Sequence, residues 1–244
     1  MGGLFSFIAN QRKETPTMAK RNKPKQHFEM SHISPMNDNQ KRAMQSYRSG
    51  LNVVLHGFAG TGKTYLSLYL ALEELITKKS FEFDKVIIVR SVVASRDMGF
   101  LPGSIREKSR IFEEPYKQIA DDLFGRGDGY EVLKMKKMVE FTTTSYLRGM
   151  TFERAIVIVD EIQNMTFSEL DTVITRMGDT SRIIFSGDFR QTDLKKSEEL
   201  SGVKQFLNIT KRMKNFEYVE FTKEDIVRSG LVKDYIITKT EMSG

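Results

Sequence analysis

The sequence predicts an α/β protein built on one parallel β-sheet with helices on both faces. Six short apolar runs rich in Val and Ile recur along the chain, and they lack the alternation of polar and apolar residues that marks a half-exposed strand. Stretches with helical patterning separate most of these runs. Strands that alternate with helices imply right-handed crossovers between parallel neighbours.

The patterned sequence begins near residue 35 and continues to residue 244. A helix is predicted over 37–49, because Asn37 or Asp38 can cap its first turn and Gly50 can end it. The apolar runs predict strands over 52–55, 86–89, 139–142, 155–159, 183–185 and 218–221. Further helices are predicted over 63–78, 105–124, 130–137, 166–177 and 197–208. One domain over 35–244 accounts for every predicted element.

Residues 1–34 are predicted to form a basic, flexible N-terminal arm. Over residues 1–36, six Lys and Arg stand against two Glu, whereas the rest of the chain is nearly balanced within a total net charge of +6. A basic arm beside a nearly neutral body favours contact with an anionic polymer or surface. The alternative is a solvated tail that helps solubility.

Composition excludes several classes of site. The 244 residues are 39% hydrophobic and 29% charged, which is typical of a soluble globular protein. Cysteine is absent, which excludes disulfides, thiolate zinc sites and cysteine nucleophiles, and the three histidines lack a metal-ligand spacing. No apolar run approaches the ~20 residues of a membrane-spanning helix. We therefore expect a cytoplasmic protein with no membrane partner.

An eight-residue motif between the first strand and the next helix carries the clearest chemistry. It fits G-x-x-x-x-G-K-[ST] at every position, and its residues are Gly57, Phe58, Ala59, Gly60, Thr61, Gly62, Lys63 and Thr64. Glycines let backbone amides turn toward phosphate oxygens, and the helix N-terminus adds a favourable dipole. Lys63 would reach the β- and γ-phosphates, and the Thr64 hydroxyl would bind Mg²⁺. The motif predicts a P-loop NTPase.

Polar residues at the ends of two other strands are placed to complete this site. Asp160 and Glu161 follow the apolar run 155–159, and ligands of open α/β sheets bind at the carboxyl ends of strands. Asp160 can hold Mg²⁺ directly or through water, and Glu161 can orient and deprotonate an attacking water. Gln191 lies just beyond the strand over 183–185, where it could sense the γ-phosphate or position water.

Several further stretches, in order along the chain, match the motifs of one known family. They are residues 57–64, 99–103, 107–108, 148–151, 160–164, 175–178, 186–188, 201–202 and 225–228. On these residues the chain resembles the PhoH family, which are P-loop ATPases similar to the motor core of superfamily 1 helicases. The resemblance covers about residues 35–240 and implies a RecA-like sheet, ATP as the nucleotide and Mg²⁺ as the metal.

The resemblance also implies roles for two more residues. Gln40 resembles the adenine-reading glutamine of these helicases, and its side-chain amide could pair with an adenine edge to favour ATP over GTP. Arg228 resembles the family's arginine finger, which would complete the site of a neighbouring subunit. A homo-oligomeric ring, a hexamer with Arg228 acting in trans, is therefore implied. The compact chain is also similar to versions encoded by bacteria and their phages, and a phage-encoded chain would work in the host cytoplasm.

Two positions within the matched motifs depart from the family's usual residues, and the stretch after the second strand reads Arg90-Ser91-Val92 where the family often has threonine-arginine-proline. Ile162 stands where alanine is usual, and Met150 stands where arginine is usual. The first change keeps the position apolar. The second removes a guanidinium that would contact nucleic acid or a neighbouring subunit, so the resemblance assigns no role to this loop.

The leading hypothesis is an ATPase whose hydrolysis drives or gates work on single-stranded RNA or DNA. Candidate polymer contacts are the basic residues from Arg12 to Lys25, Arg90, Arg96, Arg106, Lys108 and Arg110, with Phe58, Phe100 and Tyr146 for stacking. The alternative is a nucleotide-switched assembly or scaffold protein with slow ATPase and no motor activity. A small-molecule kinase is disfavoured, because Glu161 directly after Asp160 and the candidate finger Arg228 favour hydrolysis.

Overall fold

A six-stranded parallel sheet forms the centre of the molecule. The computed structural model describes residues 28–77, 82–91, 105–188 and 197–242. The strands are β1 Asn52–Gly57, β2 Lys85–Arg90, β3 Val139–Thr143, β4 Ala155–Asp160, β5 Arg182–Gly187 and β6 Phe216–Phe221. Their spatial order is β3-β2-β4-β5-β1-β6, and every pairing is parallel. The predicted α/β fold is confirmed.

Helices connect the strands and cover both faces of the sheet. They are α1 Asp38–Arg48, α2 Lys63–Thr77, α3 Ile105–Leu123, α4 Gly129–Met135, α5 Phe167–Ile174, α6 Ser197–Thr210 and α7 Gly230–Met242. Each helix predicted from the sequence is confirmed, whereas α7 is not among the predicted elements. Over the described ranges, none of these helices has the length and apolar character to cross a membrane.

Two apolar layers explain why the strands lack alternation. On one face of the sheet, Leu55 and Ile158 pack with side chains from α1, α2, α3 and α4. On the other face, Val54 and Val157 pack with side chains from α5 and α6. Successive residues of a strand point to opposite faces, so a strand that is covered on both sides is apolar at nearly every position. All six residues of β4 are buried in this way.

Apolar side chains that precede the first helix pack against the core. Phe28, Met30 and Ile33 pack against the first apolar layer, and the Phe28 ring stacks on Phe124 with 4.2 Å between the ring centroids. These three side chains therefore contact the core ahead of the first helix. The domain boundary near residue 35 stays a prediction. The rest of the predicted arm, residues 1–27, lies outside the described residues.

A buried ion pair joins α1, α2 and β5 at the edge where the strands begin. Arg182 Nη1 donates to both carboxylate oxygens of Glu74, each at 2.8 Å. Arg182 Nη2 donates to the backbone carbonyls of Tyr47 at 2.7 Å and Leu51 at 2.6 Å. The Tyr47 hydroxyl donates to Glu74 at 2.5 Å. The pair thus fixes the helix that carries Gln40 against the helix that begins with Lys63.

Candidate nucleotide-binding site

The phosphate motif forms the connection from β1 to α2 at the carboxyl edge of the sheet. Gly57 has a φ of +128°, and a Cβ at this position would lie 2.0 Å from the carbonyl oxygen of Phe221. The next amide, Phe58 N–H, donates to that same oxygen at 3.1 Å. Only glycine permits β6 to approach the loop this closely. The loop is therefore held between the end of its own strand and the end of β6.

Lys63 is buried at the start of α2 and is bonded within its own loop. Its ammonium donates to the carbonyl of Gly57 at 2.8 Å, the carbonyl of Phe58 at 2.6 Å and the hydroxyl of Thr61 at 3.3 Å. These acceptors are neutral, whereas phosphate oxygens carry negative charge and make stronger hydrogen bonds. We expect bound phosphates to replace these loop oxygens as partners of Lys63.

Two carboxylates follow one another at the end of β4. Asp160 is buried and is the last residue of the strand, and Glu161 adopts the left-handed conformation with φ 56° and ψ 43°. This conformation is uncommon for residues other than glycine and clusters at functional sites. Burial, and then the negative charge of Asp160, raise the pKa of Glu161 above its ordinary value. Glu161 is thus a better proton acceptor than an exposed glutamate.

Thr64 and Asp160 fit a shared magnesium site. The Thr64 hydroxyl lies 3.3 Å and 3.2 Å from the two carboxylate oxygens of Asp160. Mg²⁺ takes oxygen ligands at 2.0–2.1 Å in an octahedron, so neighbouring ligands lie about 3 Å apart. Among the described residues, no three His, Asp or Glu side chains come close enough to form a metal cage. The pair therefore suits a metal whose other ligands are phosphate oxygens and water.

One cavity of about 460 Å³ unites these groups, which is a volume typical of small-ligand sites. The loop and the ends of β4 and β5 form one side of it, and α3 forms another. Its polar lining includes Lys63, Thr64, Asp160, Glu161, Asp188 and Arg228. The structure therefore brings together most of the site residues that the sequence predicts. Gln191 lies outside the described residues.

Gln40 lies against the phosphate loop from the N-terminal turn of α1. Its Nε2 donates to the Thr61 carbonyl at 3.0 Å, and its Oε1 accepts from Met36 N–H at 2.8 Å. The Asn37 side chain caps this turn by accepting from Gln40 N–H at 2.8 Å. A primary amide has two N–H groups and an oxygen with two lone pairs, so these contacts leave each end able to make a further bond.

Arg228 lies beside the loop of its own chain. A Cβ at Gly60 would lie 3.0 Å from Arg228 Cγ and 3.3 Å from Ile236 Cδ1 of α7, and Val227 N–H donates to the Gly60 carbonyl at 3.0 Å. The aliphatic part of Arg228 therefore packs against the phosphate loop of its own chain, and its role as an arginine finger acting in trans stays a prediction. The sequence does not indicate that Arg228 lies near the phosphate loop, because this closeness arises from the pairing of β6 with β1.

Two buried polar side chains of the site were not predicted to act there. Gln163 donates to the Glu161 carboxylate, and its oxygen accepts from Asp188 N–H at 2.9 Å. The Tyr116 hydroxyl donates to Asp160 Oδ2 at 2.9 Å. The position of Gln163 two residues after Glu161 was a usable signal. Tyr116 gave none, because a tyrosine in an amphipathic helix reads as a core residue.

The candidate polymer contacts are only partly visible. Arg90 ends β2 close enough to the site for its charge to lower the pKa of Glu161, against the larger effect of burial. Tyr146 is exposed just after β3, whereas Phe58 is buried and is not available for stacking. The basic residues from Arg12 to Lys25, Arg96 and Phe100 lie outside the described residues, and Arg106, Lys108 and Arg110 lie on α3.

Comparison with known proteins places this site in a family. A family model described as PhoH-like protein matches residues 32–239. Protein PhoH of Escherichia coli (strain K12) is 35% identical over 203 residues, which are 82% of this chain and 56% of that protein. The PhoH-like protein of Bacillus subtilis (strain 168) is 36% identical over 185 residues, which are 74% of this chain and 55% of that protein. The chain thus spans about half the length of these curated relatives.

A solved structure supports the fold. The large terminase from a thermophilic bacteriophage superimposes with a TM-score of 0.51 at 14% identity, over 83% of this chain and 50% of that chain. At this identity the likeness concerns the fold alone. The extent of the family match and the identity to the two relatives lead to one conclusion: the chain belongs to the PhoH family.

Proposed function

We propose that this protein is a Mg²⁺-dependent ATPase that couples ATP binding and hydrolysis to the binding or remodelling of single-stranded RNA or DNA. The observation that carries the proposal is the convergence of Lys63, Thr64, Asp160 and Glu161 on one cavity. A phosphate loop, a metal carboxylate and a second carboxylate are the groups that phosphoryl transfer to water requires.

Each residue would contribute a separate part of hydrolysis. The loop amides and Lys63 would bind the β- and γ-phosphates, and Arg228 would offset charge on the transferred phosphoryl group. Thr64 and Asp160 would hold Mg²⁺, which when bound neutralises phosphate charge. Glu161 is placed to accept a proton from water as the water oxygen bonds to the γ-phosphorus. The bond to the β–γ bridging oxygen breaks, and ADP and phosphate are the products.

Gln40 would favour ATP over GTP. Its amide is buried between Met36 and Thr61, so its orientation is fixed before any base binds. An adenine edge offers one donor and one acceptor side by side, which is the pattern that a primary amide complements. Gln191 retains its proposed role as a γ-phosphate sensor.

Coupling to a polymer and to other subunits has separate support. Arg90 is the last residue of β2 and the exposed Tyr146 lies just after the neighbouring strand β3, so both lie along the same edge of the sheet as the cavity. A cation and an aromatic ring are the groups that hold single-stranded nucleic acid.

For the proposed homo-oligomeric ring, a hexamer by family resemblance, the helix α7 offers an exposed apolar surface. It exposes Leu231, Tyr235 and Met242, and it begins two residues after Arg228. A second copy packed on α7 would lie beside the cavity.

The test is steady-state ATP hydrolysis by purified protein with and without single-stranded RNA and DNA. Glu161→Gln keeps the size of the side chain and removes the proton acceptor, so we expect at least a ~100-fold loss of rate with ATP binding retained. Glu131→Gln on α4 is the matched control, because it makes the same chemical change at an exposed position outside the cavity.

The results separate the competing functions. A rate that depends on Glu161 and rises severalfold with one polymer supports the ATPase coupled to that polymer. A rate that depends on Glu161 but ignores both polymers favours the nucleotide-switched assembly, and light scattering with and without ATP then measures its subunit number. Full activity of Glu161→Gln contradicts the role assigned to this residue.

A further inference from the structure

The phenol of Tyr116 contacts the carboxylate that is placed to hold the metal. Tyr116 lies in α3 and is 1% exposed, and its hydroxyl donates to Asp160 Oδ2 at 2.9 Å. Both oxygens of Asp160 also lie within 3.3 Å of the Thr64 hydroxyl. One carboxylate is therefore held from two directions, by the helix that follows the phosphate loop and by a helix that is remote in sequence.

The direction of this hydrogen bond follows from the two groups that make it. The Tyr116 hydroxyl lies 2.9 Å from Asp160 Oδ2, and a phenol carries a proton that it can donate over this distance. An ionised carboxylate can only accept, so Tyr116 is the donor. Such a charge-assisted bond is short and directional, and it restricts rotation of the carboxylate plane.

We propose that Tyr116 is a positioning residue, which orients the Asp160 carboxylate for Mg²⁺ and makes the metal affinity of the nucleotide site depend on the position of α3. This inference rests on the proposed function. Side chains that orient a metal ligand typically change metal affinity by about 10–100-fold when they are removed. The Tyr116 hydroxyl orients the proposed metal ligand Asp160 in this way, so we expect an effect of this size when it is removed.

α3 is well placed to transmit its position to the metal. Pro115, Gln118, Ile119 and Asp122 of the same helix line the nucleotide cavity. The Asp122 carboxylate accepts from the Tyr65 hydroxyl of α2 at 2.7 Å, which ties α3 to the helix that begins with Lys63. A shift of α3 would therefore move a wall of the cavity and the donor to Asp160 together.

Tyr116→Phe tests the hydrogen bond with little change in packing. The ring packs against Phe141 of β3 with 5.8 Å between centroids, and phenylalanine keeps this contact. Tyr130→Phe is the matched control, since the Tyr130 hydroxyl is also buried and donates to a carboxylate, Glu113, at 2.9 Å outside the cavity. Both variants remove one phenolic oxygen from the same apolar layer.

The measurement is binding of a fluorescent ATP analogue to the full chain, titrated with Mg²⁺ and repeated in EDTA. We expect Tyr116→Phe to raise the Mg²⁺ concentration for half-maximal binding by about 10–100-fold, with affinity in EDTA unchanged. Tyr130→Phe should match the wild type in both titrations. Mn²⁺ binding followed by electron paramagnetic resonance gives the same comparison without relying on nucleotide fluorescence.

Three results would overturn the inference. If the wild type depends on Mg²⁺ and Tyr116→Phe matches it, the hydroxyl does not position Asp160 and the proposed function is untouched. If Tyr116→Phe loses equal affinity with and without Mg²⁺, its role is to support the fold of the cavity. If the wild type shows no Mg²⁺-dependent nucleotide binding, the proposed function fails and the inference fails with it.

Discussion

Removal of one partner from the buried Arg182–Glu74 pair should destabilise the protein strongly. The side chains are 11% and 5% exposed, and Arg182 makes two hydrogen bonds to the carboxylate and two to backbone carbonyls. Arg182→Met keeps an unbranched side chain of similar length and removes all four hydrogen bonds. It leaves the Glu74 carboxylate buried without its counter-charge.

The size of the effect follows from this burial. Breaking a buried ion pair by removing one partner typically costs about 3–5 kcal/mol, because the remaining charge is left in a poorly solvated place. In the double variant with Glu74→Leu neither charge remains, so it should be more stable than Arg182→Met alone. The expected coupling free energy between the two sites is about 0.5–3 kcal/mol.

Urea unfolding followed by far-UV circular dichroism measures these free energies. The matched control is Arg154→Met, because Arg154 also makes two hydrogen bonds to one carboxylate, Asp84, at 2.9 Å each, but at 43% and 65% exposure. Exposed pairs contribute little, so its unfolding curve should overlay that of the wild type. Equal losses for Arg182→Met and Arg154→Met, or additive losses in the double variant, would refute the reasoning.

Two further predictions concern the nucleotide site. Gly57→Ala places a methyl group 2.0 Å from the Phe221 carbonyl at a φ of +128°, so we expect a lower unfolding midpoint together with weaker nucleotide binding; an unchanged midpoint in thermal melts would contradict the close approach of β6. Gln40→Ala removes the amide that is proposed to pair with adenine, so competition binding should show a larger loss of affinity for ATP than for GTP; equal losses would mean that Gln40 only supports the loop.

The elements of the fold were predictable because they depend on local sequence. β5 was predicted over 183–185 and is found over Arg182–Gly187. Its ends escaped prediction because they are polar or small, although the Arg182 side chain is only 11% exposed beside Glu74 and Gly187 is buried close to Ile162. α7 escaped prediction for the opposite reason, since Leu231, Val232, Tyr235 and Met242 are exposed and none of its side chains is fully buried.

The assembly of the site was predictable only where strand ends carry its residues. Lys63, Thr64, Asp160 and Glu161 follow strands of a parallel sheet, and such ends meet at one edge. Tyr116 enters from the middle of a helix, 44 positions from the aspartate it contacts, and only the packing of α3 on the sheet brings the two together. The placement of Arg228 beside its own loop depends on strand order, which periodicity does not encode.

The packing of Gly60 against α7 links the phosphate loop to an exposed helix. The Gly60 carbonyl accepts a hydrogen bond from Val227 N–H, and the side chains of Arg228 and Ile236 lie against the glycine. Through these contacts a change in the shape of the loop would shift α7, on which Leu231 and Tyr235 are exposed to solvent. The exposed surface of α7 would then differ between nucleotide states, and a partner could recognise this difference without entering the pocket.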